Sequence, residues 1–395
     1  MSIRKNIAQL IRLVLAASMV TAVLVFVGSS GGCGKGLFPE VTSSGTVTPT
    51  PVANAFLYTS NHTDGTVSAF TRNTNTGALT FVAKQSAGAV NGPEGIVVSP
   101  VNDLVYVVNA TDNNVYQYSV GSTGSLTSLG SIPAGVTPQM VAVDPSDTFV
   151  YVTNTGSKTV SEYLINSGNT LTLVGTLSGL FLGQPFGIVS HPTAEIIYVA
   201  DRTFGLIYAF TIGGNGLLTS LGTALASNGA SRGNPGLMAI AFDGTQGYLF
   251  VDDTVLGVVS VFLIQSDGSL SYSNTFVGSQ SSSMLGIGAV NSGGGSATNY
   301  VLTANTNGNF ILPFQRSGAT LTVQNSFTDA GGPTGLVIDP AGFFAYTANS
   351  GNGTIALIGI NSSQCGSQPL CVIKSFASES PANSNAGTQF VATTH

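Results

Sequence analysis

Charge is scarce in this sequence, so the side chains able to do acid–base or anion chemistry can be followed one by one. The 395 residues carry 11 Lys and Arg, 17 Asp and Glu, and three His. Glu94 follows a proline in Pro93-Glu94-Gly95, and His62 follows Asn61. A carboxylate or imidazole can take a proton from water and act as a general base. Arg202 and Arg232 can hold a carboxylate or steady an oxyanion, and Asp253 adds an acid. Gln139, Phe186 and Thr334 share the post-proline position of Glu94, in Pro138-Gln139-Met140, Pro185-Phe186-Gly187 and Pro333-Thr334-Gly335. Glu94, Gln139, Phe186, Arg202, Arg232, Asp253 and Thr334 are therefore the candidate ligand-binding residues, with Glu94 and His62 the candidate bases. No Gly-rich phosphate loop, Ser-His-Asp spacing or metal motif accompanies them, and no cofactor is expected. Asp112, in the Asn-rich turn TDNN, lacks the further acids of a calcium loop and reads as a turn residue.

These residues matter only if the fold gathers them, and the chain is a repeat. Residues 150–175, VYVTNTGSKTVSEYLINSGNTLTLVG, read as three strands joined by the turns NTGSK and NSGN. PQMVAVDP, at 138–145, adds a strand in front. One such four-stranded sheet cannot bury both faces alone and needs copies of itself. The copies align by column: Asn61, Asn109, Asn154, Asp201, Asp253, Asn305 and Asn349. Six residues later stand Val67, Val115, Val160, Ile207, Val259, Ile311 and Ile355. Three further on are Phe70, Tyr118, Tyr163, Phe210, Phe262, Phe314 and Ile358. The first column recurs every 44–52 residues, the length of a propeller blade. The expected fold is all-β: a seven-bladed propeller of four-stranded antiparallel blades over residues 55–395.

First strands open at Pro93, Pro138, Pro185, Pro235, Met284 and Pro333, one fewer than the seven second strands. TQFVATTH, at 388–395, supplies the missing innermost strand and closes the ring against residues 56–60. First and second strands run antiparallel, so the start of one lies beside the end of the other. The post-proline residues and the Asn/Asp turns then share one rim. His191, at the opposite end of its strand, reads as a turn residue. The bland reading of Asn109, Asn154 and Asn349 is turn capping, and of Asp201 and Arg202 a solvated pair.

Composition excludes other classes. The chain is 43% hydrophobic and 7% charged, unlike a disordered protein, and its formal charge of -6 gives no basic footprint for nucleic acid. Trp is absent, so no Trp-based blade lock is available. Residues 1–32 read as a signal peptide: Arg4, Lys5 and Arg12 precede an apolar run from Leu13 to Val27. Ser30-Gly31-Gly32-Cys33 is similar to a bacterial lipobox, with Ser30 in place of the usual Leu, and makes Cys33 the lipidation candidate. An ordinary secretory cleavage near Gly32 is the alternative. Residues 33–54 form a Ser/Thr/Pro-rich tether. Cys365 and Cys371 flank a turn of the seventh blade and read as a disulfide in an oxidising compartment.

The columns resemble those of the lactonase-type seven-bladed propellers, which include 6-phosphogluconolactonase, and of YVTN-repeat surface proteins; VYVTN stands at 150–154. In the lactonases of this family the functional residues follow the opening proline, as Pro-His-Gly and Pro-Arg-His. Here no His or Arg stands in those triplets, and Asp252 or Asp253 is the counterpart of the family's Glu. The resemblance implies, as an alternative, lactone hydrolysis. The first reading is an exported, lipid-anchored, monomeric propeller at the bacterial cell envelope, touching membrane only through its lipid. It would bind a small polar ligand or an envelope protein. A structural surface-layer or adhesion module is the third reading.

Overall fold

Short runs of branched and aromatic residues, bounded by Asn, Gly and Ser, form strands because such side chains pack on a pleated surface. In the computed structural model they pair as seven antiparallel sheets among the described residues. The structure describes residues 55–179, 183–225, 233–278, 284–290, 299–329, 331–361, 363–366, 368–377 and 388–393. The signal segment, Cys33, the tether and Arg232 lie outside the described residues.

Blade 1 runs Thr388–Thr393, Ala55–Asn61, Thr66–Arg72, Leu79–Ser86 from the axis outwards. Blades 2 to 5 follow in order, with innermost strands Pro93–Val98, Pro138–Val143, Pro185–Ser190 and Pro235–Asp243. Blade 6 opens with Met284–Ala289 and blade 7 with Pro333–Ile338. The expected ring closure is present: Leu57 pairs with Thr393 and Asn61 with Thr388. The innermost strands touch their neighbours all the way round, Thr388–Thr393 meeting Pro93–Val98 on one side and Pro333–Ile338 on the other. These strands line the central channel.

Second strands such as Leu104–Asn109 and Phe149–Asn154 are buried along their whole length. Each is sandwiched between neighbouring blades, which is why it reads as a continuous apolar run. The outermost strand Leu126–Pro133 buries only its first residue and is otherwise partly or fully exposed. The core of the described residues is accordingly seven clusters, one at each blade junction. The seventh packs Leu57, Phe70 and Val391 of blade 1 on Phe344 and Tyr346 of blade 7, across the closure.

Tyrosine does the locking that tryptophan could not. In the second strands, Tyr58, Tyr151, Tyr198 and Tyr346 donate to the carbonyls of Gly124, Gly216, Gly268 and Gly77 in the outer turn of the next blade. Burial raises the pKa of each well above that of an ordinary phenol. Tyr106 holds the same column, but its hydroxyl has no partner; the corresponding turn position of the following blade is Asn169 rather than Gly.

Blade 6 departs from the repeat. Its outer edge is split into Thr320–Val323 and Phe327–Thr328, both pairing with Phe310–Ser317. Pro313 sits in that middle strand and has no N–H to offer the ladder. In blade 7 the expected Cys365–Cys371 disulfide is formed, with Cα atoms 5.5 Å apart.

Candidate functional site

The opening residue of each innermost strand pairs with the Asn/Asp column: Pro93 with Asn109, Pro138 with Asn154, Pro185 with Asp201, Pro235 with Asp253, Met284 with Asn305, Pro333 with Asn349. The rim inferred from strand direction therefore exists. Directly after that pair the register shifts in all six strands. Such a bulge frees one residue from the ladder and re-aims its side chain. Glu94, Gln139, Phe186 and Thr334 lie in these bulges.

The glycine of the Pro-X-Gly triplets has a separate cause, since neighbouring inner strands converge there. A Cβ on Gly95 would lie 2.6 Å from the Gln139 carbonyl oxygen, and one on Gly187 would collide with the Gly236 carbonyl. The proline and glycine of the triplet thus serve the ring, and the residue between them is left to vary.

Two groups of candidates are brought together. His62, in the first turn of blade 1, places Nδ1 3.3 Å from Oε1 of Glu94 in blade 2. Their side chains retain 27% and 17% exposure, so the pair is open to solvent. The contact with Glu94 raises the His62 pKa above 6.5, against the opposing effect of burial.

The second group spans blades 4 and 5. Arg202 lies flat on Phe186, its Cζ 3.2 Å from the ring centroid. Burial lowers its pKa to about 10, while the charges of Asp252 and Asp253 oppose that shift. Arg202 and Asp201 do not form a solvated pair. Asp201 caps its turn instead, accepting from the backbone N–H groups of Gly183, Gln184, Thr203 and Phe204. Asp253 does likewise, accepting from Val255 and Leu256 through Oδ1 and from Asn234 through Oδ2. Asn109 shows the same capping, with Oδ1 accepting from Thr111 and Asp112.

Asp252, one residue earlier, was named from the sequence only as a possible counterpart of the family's Glu and not among the candidate ligand-binding residues. Its column holds small or polar residues that fill the bulge: Ser60 accepts from Phe390 N–H, and Thr153 from Met140 N–H while donating to the Phe186 carbonyl. Asp252 uses Oδ1 in the same way, accepting from Leu237 N–H at 2.6 Å. Its Oδ2 is surplus, buried and without a partner. Burial pushes its pKa up to about 8, with the Leu237 bond and Arg202 pulling the other way. An acid in a column otherwise occupied by Ser60, Val108, Thr153, Ala200, Ala304 and Ala348 was the available signal.

The remaining candidates are quieter. Gln139 is half-buried and its amide donates to the adjacent Pro138 carbonyl at 3.3 Å. Thr334 is buried and donates to the Ala348 carbonyl. Asp112 is a turn residue, accepting from Ala89 N–H and Tyr116 hydroxyl. No metal-binding group of acids, His and Cys occurs among the described residues.

Comparison with known proteins agrees with this architecture. Residues 56–177 match the model of the family described as Lactonase, 7-bladed beta-propeller. A candidate 6-phosphogluconolactonase from Bacteroides fragilis superposes with a TM-score of 0.72 at 16% identity, over 87% of this chain and 98% of its own. The periplasmic gluconolactonase of Pseudomonas aeruginosa gives 0.68 at 15% identity, over 86% and 99%. No curated protein sequence matches the chain. The chain has the lactonase-type seven-bladed propeller fold; at these identities the superpositions speak for the fold alone.

Proposed function

We propose that the rim binds a small polar ligand carrying a carboxylate or lactone carbonyl, of the sugar-acid class, with Arg202 as its anchor. One observation carries this reading. Of the three described arginines, Arg72 is ion-paired with Asp339 and Arg316 with Asp243, whereas Arg202 sits over the Phe186 ring with no ion pair among the described residues and feels Asp252 and Asp253 only at longer range. Stacking holds the planar guanidinium in one orientation and leaves its donors for a planar acceptor. Phe186 is therefore a positioning residue. Calorimetric titration with gluconate should show binding in the native protein and its loss in Arg202→Met. Equal heats from both proteins would refute the assignment.

Lactone hydrolysis is the second reading, favoured by the His62–Glu94 pair and, by analogy only, by the fold. The pair would take a proton from water, whose oxygen attacks the lactone carbonyl. The ring C–O bond then breaks, the ring oxygen takes up a proton, and a hydroxy acid leaves. Acid release from a panel of aldonolactones, followed at constant pH, tests it. Release no faster than in buffer alone would leave ligand binding as the function.

We further propose that the protein acts at the cell envelope. The Cys365–Cys371 disulfide fits an oxidising compartment, and the apolar N-terminal run with Cys33 fits export and lipidation. Mass spectrometry of the mature N-terminus decides between a lipidated Cys33 and plain secretory cleavage.

A further inference from the structure

The opposite mouth of the channel carries a cavity, independent of the rim. Its volume is about 300 Å³, at the lower end for small-molecule sites. It is formed by the far ends of three successive innermost strands and the turns after them. Val97 and Pro100 come from blade 2, Val141 and Pro145 from blade 3, Ile188 and His191 from blade 4.

His191 is out of keeping with its column. The residue before the turn proline is Ser99 in blade 2, Asp144 in blade 3 and Asp339 in blade 7. Each caps the turn that follows: Ser99 accepts from Asn102, Asp144 from Thr148 and Phe149, Asp339 from Phe343 and Phe344. His191 does the same work with Nδ1, accepting from Thr193 at 3.2 Å and Ala194 at 2.9 Å. Accepting there leaves the hydrogen on Nε2, so the ring is neutral and its second nitrogen is a donor. Desolvation lowers its pKa, in keeping with that form. The ring is fixed edge-on against Phe242, centroids 5.3 Å apart. A carboxylate in this place would cap equally well and present only acceptors. Histidine caps and also gives a cavity lined mainly by Val, Ile, Ala and Pro, with Ser190 as its other polar residue, a neutral, oriented N–H.

We propose that this cavity is a binding site for a small, uncharged, largely apolar molecule bearing one carbonyl, with Val97, Val141 and Ile188 enclosing its hydrocarbon part and His191 Nε2–H donating to its oxygen. The apolar lining excludes sugars and anions, whose hydroxyls and charges would lose water without replacement. The site is therefore chemically unlike the rim.

Two near-isosteric probes test it: acetophenone, which has the carbonyl, and cumene, which has an isopropyl carbon in its place. Methyl resonances of Val97, Val141 and Ile188 are followed by NMR in the full chain. Acetophenone should shift them saturably, and cumene should bind about five- to tenfold more weakly, the worth of one neutral hydrogen bond. His191→Asn keeps a cap of the Asp144 type but withdraws the donor from the cavity. It should retain the parent's melting temperature and lose the preference for acetophenone, whose carbonyl would then be buried without a donor to replace its water. Equal affinities in the native protein, an undiminished preference in His191→Asn, or saturable shifts confined to other residues would each overturn the proposal.

Discussion

Replacing Asp252 by Asn should remove one source of stability loss that the parent suffers as pH rises from 3.8 to about 8. The carboxyl is fully buried, with its pKa raised from 3.8 to about 8. Between those values the folded chain keeps a proton that the unfolded chain has released. Stability contributed by that proton is present in full below pH 3.8 and is lost as pH rises towards 8. At ~1.4 kcal/mol per pH unit, the parent should lose about 4 kcal/mol between pH 5 and pH 8 through this one group. Asn has the same size and can still accept from Leu237 N–H, but it does not titrate. The variant should match the parent only below pH 3.8, already exceed it by about 2 kcal/mol at pH 5, and exceed it by about 6 kcal/mol above pH 8. Urea unfolding of both proteins at pH 5, 6.5, 8 and 9 measures the difference, in which the other titrating groups cancel. Two stability curves that stay parallel across this range would refute the account of Asp252 as a buried, proton-holding acid.

Glu94→Gln should lower the His62 pKa, because burial is then opposed only by the hydrogen bond to the Pro93 backbone; an NMR titration of the ring protons measures it. In the parent, the stability contributed by that pair is present below pH 6.5 and lost as pH rises through the folded value. Tyr151→Phe should cost about 1 kcal/mol by denaturant unfolding, through loss of its bond to Gly216. Tyr106→Phe, which removes a hydroxyl with no partner, should cost nothing or stabilise. Truncation before Thr388 should lower the melting temperature sharply by exposing the edge of Ala55–Asn61. Replacing Cys365 and Cys371 by Ser should cost about 2 kcal/mol, since the closed loop is short.

The blade count, the opening residues of six inner strands and the closing role of the C-terminal strand were legible in the sequence. Each is a demand that all seven blades make in the same way, so it recurs as a column. The rim was legible for the same reason, because antiparallel pairing places Pro93 beside Asn109 wherever the pattern repeats. The split edge of blade 6 was not, because it follows from a single residue, Pro313. The disulfide was, because Cys365 and Cys371 face each other across one local turn.

Which side chains meet was decided by the tertiary structure alone. Asp201, Asp253 and Asp252 are the same or nearly the same in sequence position, yet the first two are occupied by backbone N–H groups and only the third keeps a bare oxygen. Arg202 and Phe186 are 16 residues apart in number, and their stacking depends on how the second strand of blade 4 returns beside the first. His62 reaches Glu94 only because adjacent blades converge on the axis. The sequence determined what every blade shares, since repetition makes a common constraint visible. The site consists of the positions where blades differ, and the meaning of a difference depends on the neighbour that closure of the ring supplies.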